Sequence, residues 1–529
     1  MKKKLCLIIK AGQEWFRHTE FEEKTNAPIL NQFFESISNV YIPFLNILEK
    51  FESEENFFCF NLVLPPVLCA LLSNEKLQDD YLLWLDKKNL LGQKELKRNQ
   101  NDEQKIKIIN AEIERNKQLK IQFAEKYQKK LIPVFKYFMQ KGMIELLGTC
   151  GTDIFIPHYA DLTEIISAQI EIGLYSYKKY FGTVPEGFWL PDLGYIPGVE
   201  QLIKAFGYSY TIVDSQSFLL AENVPQAGTF EPCRIGNFVF FANDYFLKDE
   251  FFGEKGIILN KVYRNQNCDI GFELEPENLA PLMQEGTLRF STGFKYYNKN
   301  FDDKSVRVYN KYAAHRQVIK DAKKFVQNHN EKLQKACEYL NDKPFVADVC
   351  TFELERYSRN WYEFVDFIEN VILTSKQTDL QLSGCACLCN SPFDFEKIIP
   401  YFSAQSGEGY GENFLSSKNC WMMRYIRKAC ERMIDLAERF PSDSGLKNRL
   451  LNLGAQELML ALSSNLADAM NNSDFMEFAE RRFNESILAF TNVFDALGSN
   501  TVSTEWLTRV ESKDSVFPWM NYKIFAKKR

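Results

Sequence analysis

The chain has 529 residues, 45% of them hydrophobic, and a formal net charge of −6. That size and apolar content exclude a disordered chain and predict one large folded unit with an appendage. The acidic balance and the lack of a long basic run leave no electrostatic footprint for nucleic acid or an anionic membrane, so the expected partner is a neutral polymer.

The opening MKKKLCLIIKAG begins like a signal peptide. Its apolar stretch runs only from Leu5 to Ile9, however, before Lys10 interrupts it, and no small-residue cleavage site follows. No run approaches the roughly 18 apolar residues of a membrane helix. Thirteen scattered cysteines, many within apolar strands, read as buried thiols of a cytoplasmic protein.

Short β-rich runs then alternate with helical stretches: Leu5 to Lys10, Phe57 to Leu64, Ile144 to Cys150, Gly187 to Leu190, Tyr210 to Asp214, Phe238 to Ala242 and Phe345 to Cys350. This is the pattern of a parallel sheet or barrel. Asp153, Asp192, Asp214, Asp244 and Glu353 follow at strand C-terminal ends, the face where barrels gather catalytic groups. Two stretches interrupt the alternation. Charged helical patterns from Asp80 to Gly142 predict an inserted helical subdomain. Val308 to Leu340, with Val318, Ala322, Phe325 and Val326 at helical spacing, predicts one or two helices packed on the barrel. Beyond Pro400 the strand signal stops. Helical patterns over Asn419 to Phe440, Ser444 to Asn465 and Phe475 to Leu497 follow, separated by turn residues at Ser442 to Gly445 and Asn471 to Asp474.

The segment GFWLPDLGY, Gly187 to Tyr195, resembles the nucleophile motif of glycoside hydrolase family 57, with Asp192 where the family has glutamate. The resemblance, within that family to the α-1,4-glucan branching enzymes, extends over nearly the whole chain. It runs through EWFRHTEF, YIPFLNILEKF, NLVLPPVLCALLSNEKLQDDY, GMIELLGTCGTDIFIPHY, CDIGFELEPENL, FSTGFKYY, FELERYSRNWYEFVDFIENVI, the SGEGYGEN junction block and FPWMNYKIF. It implies an α/β fold: a distorted (β/α)7 barrel over residues 1–395 with a helical insertion at about 80–142, and an all-helical domain over 396–529. It also implies retaining chemistry, in which two carboxyls roughly 5 to 5.5 Å apart serve as nucleophile and as acid then base. Asp192 takes the nucleophile's place. Glu353 takes that of the catalytic aspartate, and Glu355 matches a glutamate two residues on. The two exchanges are reciprocal, one carboxyl shortened and the other lengthened by about 1.5 Å, a single C–C bond.

Other family positions are altered. Lys10, Ala11 and Gly12 stand where two histidines end the first strand, and Asp153 and Gln216 replace two further histidines. His18, beside Arg17, matches a family position. Carried over as substrate-binding positions are Lys10, Trp15, Glu145, Asp153, Trp189, Asp214, Gln216, Asp244 and Trp421, with Asn243 in place of an arginine. Trp15, Trp189, Trp361, Trp421 and Trp519 suit either sugar stacking or core packing. No metal ligand set and no cofactor is expected. Cys385, Cys387 and Cys389 would share one face if extended, but read as small buried residues.

These substitutions lead to the expectation of an α-glucan-binding protein of the branching type, a monomer or small homo-oligomer, with impaired or absent turnover. Two alternatives stand beside it. One is an active branching enzyme using Asp192 and Glu353; the other is a pocket remodelled by the charges of Lys10 and Asp153 for another substrate.

Overall fold

The structure is a computed structural model that describes residues 1–16, 23–55, 58–283, 286–299, 307–340, 343–442, 444–472, 475–513 and 515–527. Arg17, His18, Phe57, Asp443 and Asp474 lie outside these residues.

Among the described residues, nine strands form one sheet: β1 (Lys2–Lys10), β2 (Phe60–Val63), β3 (Ile144–Gly148), β4 (Gly187–Trp189), β5 (Tyr210–Val213), β6 (Cys233–Ile235), β7 (Phe238–Ala242), β8 (Phe345–Glu353) and β9 (Leu380–Leu382). Their order is β6-β7-β5-β4-β3-β2-β1-β8, and β9 adds to β1 beside its N-terminal half. The path from β7 to β8 is parallel throughout, and its strands are the seven that the sequence pattern picks out. Two short strands escape that pattern, β6 antiparallel to β7 and β9. Each has only three residues, too few for a period to register.

Both faces of these strands are covered, which explains their near-continuous apolar runs. Along β1, Cys6 and Ile8 point into the barrel with Val63, Leu147, Trp189, Ile212, Phe241 and Val349. Leu5, Leu7 and Ile9 point outward into the larger helix-covered core.

The sheet does not close. β7 and β8 share no ladder, and their ends are tied by single bonds, Asp244 N–H to the Val349 carbonyl (2.8 Å) and Thr351 N–H to Asn243 Oδ1 (3.2 Å). An ion network covers this seam. The helix Lys311–Tyr339 is a single element of 29 residues, started by Asn310 accepting from Ala313 N–H. It packs Val318, Ala322, Phe325 and Val326 on the barrel and brings His329 and Lys332 over the seam. His329 Nδ1 meets Asp348 Oδ2 at 2.6 Å, and Lys332 Nζ bonds Asp244 and lies 3.1 Å from Asp348. Burial opposes charge on both His329 and Asp348, but their mutual attraction prevails: His329 is held above and Asp348 below its ordinary pKa.

The insertion is a helical hairpin, Glu75–Arg98 and Glu103–Ile121, whose N-termini are capped by Asn74 and Asp102. It begins a few residues earlier than the charge pattern predicts, because its first turn reads as continuous with β2's apolar follow-on helix, Pro66–Leu72. At the C-terminal side, helices Cys420–Arg439, Gly445–Ala461 and Met476–Ser499 pack together, and the shorter Ser464–Ala469 runs back to the barrel mouth.

Replacing Asp348 with Asn removes the carboxylate nearest buried His329, leaving it Glu250 and a more distant Asp244 that half-buried Lys332 also uses, and breaking a buried pair costs about 3 kcal/mol. Urea unfolding of Asp348→Asn should register that loss; a change under about 0.5 kcal/mol, the range of a neutral surface substitution, would show that the network does not hold the seam.

Candidate active site

Asp192 sits in a 3-10 turn, Pro191–Leu193, directly after β4. Its φ of 54° and the 50° of Leu193 place two consecutive non-glycine residues in the left-handed region, a strain of about 1 to 3 kcal/mol each that needs surrounding support. Leu193 N–H bonds the Leu190 carbonyl at 2.9 Å, and Gln405 N–H bonds the Asp192 carbonyl at 2.7 Å. The turn thereby aims the carboxyl across the barrel mouth. Ser406 Oγ donates to Oδ1 (3.0 Å) and Ser464 Oγ faces Oδ2 (3.3 Å). Ser406 comes from the junction loop, whose glycines are steric requirements: a Cβ on Gly409 would strike Gln216 and one on Gly411 would strike Phe155.

Glu353 ends β8 in register with Lys10 at the end of β1. It is about one-third exposed, at 31%, and faces Arg356 at 3.7 Å. Lys10 Nζ bonds Asp153 Oδ2 at 3.0 Å, both side chains nearly buried. Burial disfavours the ammonium, yet the Asp153, Glu353 and Asp192 carboxyls around it raise its pKa above that of an ordinary lysine. Asn465 Nδ2 donates to Asp153 Oδ2 (2.9 Å) and to Glu14 Oε1 (2.7 Å), and Ser463 also donates to Glu14. Burial, with Asp153 adding to it, lifts Glu14 to about 7. Burial and Glu353 lift Asp192 to about 7, against the pull of Lys10. Glu355 is buried behind them, taking Gly12 N–H (2.9 Å) and Tyr41 OH (2.5 Å).

These groups line a cavity of about 460 Å³ shared by Lys10, Glu14, Asp192, Glu353, Arg356 and Ser406. Of the positions drawn from the sequence, Lys10, Asp153, Asp192 and Glu353 converge here. The others go elsewhere. Glu145 lies at the opposite end of the barrel, where it accepts from Tyr210 OH, Asn61 Nδ2 (2.8 Å) and Ala386 N–H (3.1 Å). Trp189 is 1% exposed inside the barrel, so neither ring face is open to a sugar; its place in β4 turns it inward. Trp15 is buried and lines a small separate cavity with Glu14, Pro65, Val67 and Asp153. Asp214 accepts from Gln216 N–H in its own turn, and Gln216 reaches the Glu408 carbonyl. Asp244 belongs to the seam network. Trp421 is half-buried against Phe483 in the helical domain. Cys385, Cys387 and Cys389 adopt a 3-10 turn rather than a strand, so Cys385 is buried and Cys387 exposed.

Glu14, Ser406, Ser464, Asn465 and Arg356 reach the site without having been singled out by sequence. The available signals were a run of small polar residues, Ser463 to Asn465, at a helix end, and the glycine-rich loop that contains Ser406.

An open parallel barrel that brings Asp192 and Glu353 into one cavity at its C-terminal mouth places the chain among the barrel proteins that gather their chemical groups on that face. Residues 6–371 match Glycosyl hydrolase family 57, and residues 425–525 match the C-terminal region of 1,4-alpha-glucan branching enzyme. The chain belongs to glycoside hydrolase family 57, and it is of the branching-enzyme type. The 1,4-alpha-glucan branching enzyme TK1436 of Thermococcus kodakarensis is 21% identical over 92% of this chain and 73% of its own length. The structure of the alpha-amylase AmyC from Thermotoga maritima superposes with a TM-score of 0.91 at 25% identity, covering all of both chains. The branching enzyme from Pyrococcus horikoshii gives 0.87 at 20% identity, over 100% of this chain and 98% of its own, a likeness of fold.

With its pKa raised from 3.8 to about 7, Asp192 favours the fold when protonated, and that contribution fades as pH rises through 7. Asp192→Asn cannot ionise. It should therefore melt above the parent chain at about pH 8 and lose that advantage towards about pH 4, as read by thermal unfolding; a difference independent of pH would refute the assignment.

Proposed function

We propose that this chain binds α-glucan in the groove of its family while its turnover is suppressed. The observation that carries the reading is the Lys10–Asp153 ion pair, which stands beside Asp192 and Glu353 where a reacting sugar ring would need space and hydroxyl partners. A retaining reaction needs an ionised nucleophile, and the raised pKa of Asp192 keeps much of it protonated near neutrality. Its backbone is strained and its carboxyl one methylene short, and displacing reacting atoms by about 1 Å can cost roughly a hundredfold in rate. The cavity itself remains, with Gln405, Asn413 and Asn472 amides and the half-buried Phe475 ring suited to sugar hydroxyls and faces.

Branching activity through Asp192 and Glu353 is the competing outcome. Incubation with amylose at high protein concentration should produce no new α-1,6 branches, while affinity electrophoresis in amylose gels retards the chain. Asp192→Ala should leave that retardation within about twofold, since the reading assigns binding to the groove and not to a reacting carboxylate. New branches that vanish in Asp192→Ala would establish a working enzyme.

A further inference from the structure

A second cavity, of about 810 Å³, adjoins the first and shares Gln32, Arg356, Arg359, Phe475 and Phe478 with it, so the two form one continuous groove. Its far end has a different character from the neutral-sugar surface expected of a glucan site. Lys88, Arg115, Arg264, Arg289 and Lys295 line it, against the acids Glu35, Glu112 and Glu477. This excess of cations stands on a chain whose net charge is −6.

Most of these cations have partners. Arg264 bonds Glu112 (3.0 Å) and the Lys295 and Gly293 carbonyls, Arg115 donates to the Ser38 carbonyl (2.7 Å), Lys295 to Gln266 (2.7 Å), and Arg289 to the Gly271 carbonyl (3.0 Å). Lys88 is the exception. It is 3% exposed, lies 4.7 Å over the Trp84 ring, and makes no hydrogen bond or ion pair among the described residues. Its ammonium sits against Gly293, on the cavity wall, where a Cβ would come within 2.6 Å of it. The nearby Glu35 carboxyl is held by Ser291 (3.3 Å). The Glu112, Glu35 and Asp269 carboxylates attract it, but none bonds it; a buried ammonium with no hydrogen-bond acceptor is costly, and an incoming anion would reduce that cost.

We propose that this end of the groove binds a phosphate monoester carried by the glycan, with Lys88 as its central contact. A phosphate monoester supplies the dianion and the several acceptor oxygens that a point-charge lysine among arginines recognises. The amide of Asn267 alongside would serve a hydroxyl of the same sugar. The inference deepens the glucan reading and rests on it for the polymer, but not for the phosphoryl contact.

Calorimetric titration of the full chain with matched plain and phosphorylated maltodextrins tests it. The phosphorylated chains should bind at least tenfold tighter. Lys88→Met should abolish that preference, leave plain maltodextrin affinity unchanged, and keep the cooperative thermal unfolding of the parent. Equal affinities, or a preference that survives Lys88→Met, would overturn the proposal. If neither maltodextrin binds, the glucan reading fails on its own. Thermal shifts with inorganic phosphate and glucose 6-phosphate then decide the phosphoryl site: stabilisation lost in Lys88→Met sustains it, and no stabilisation refutes it.

Discussion

The ion pair between Lys10 and Asp153 organises the mouth of this barrel. Lys10 ends β1, the strand with β2 on one side and β8 on the other, and so it stands between the strand ends that supply Asp153, Asp192 and Glu353. An ammonium nearly withdrawn from water needs carboxylates around it, and the crowded carboxyls of Asp153, Asp192 and Glu353 need a cation among them. Each requirement meets the other. The cluster is therefore held together by charge in a place where a sugar-processing site depends on neutral donors and open volume.

That arrangement also accounts for the strained turn at Asp192. Consecutive residues in the left-handed region persist because the junction loop and the start of Ser464–Ala469 hold the turn from both sides. The barrel strands and the C-terminal helical region thus share one site. Ser464 bonds the Asp153 carbonyl and faces Asp192, while Ser463 and Asn465 donate to Glu14 and Asn465 also to Asp153, so the C-terminal helices reach the charged mouth through three consecutive polar residues.

Much of this was legible in the chain. All seven parallel strands announce themselves as apolar runs, because burial on both faces leaves no polar alternation to confuse them. Polarity at the strand ends pointed to Asp153, Asp192 and Glu353 together with Asp214 and Asp244, while Lys10 was marked only by the family resemblance. What escaped is direction and partnership. Periodicity reports that Trp189 and Glu145 are covered but not by what, and β4 turns the tryptophan inward while β3 sends the glutamate to the opposite end. The link between Lys10 and Asp153 spans 143 residues, and no local pattern encodes it. Asp244 resembled a site residue until the open seam between β7 and β8 supplied its actual partners. Lys88 was hidden in the insertion, where a charged helical face reads as solvated although this lysine is buried.

The account stands on whether Lys10 and its acids take the place of a reacting sugar. A crystal structure of the chain with a long maltooligosaccharide bound tests this most directly. The predicted result is an oligosaccharide lying along the groove past Arg356 and Phe475 and stopping short of an intact Lys10–Asp153 pair. A glucosyl ring seated between Asp192 and Glu353, with Lys10 swung aside, would contradict it.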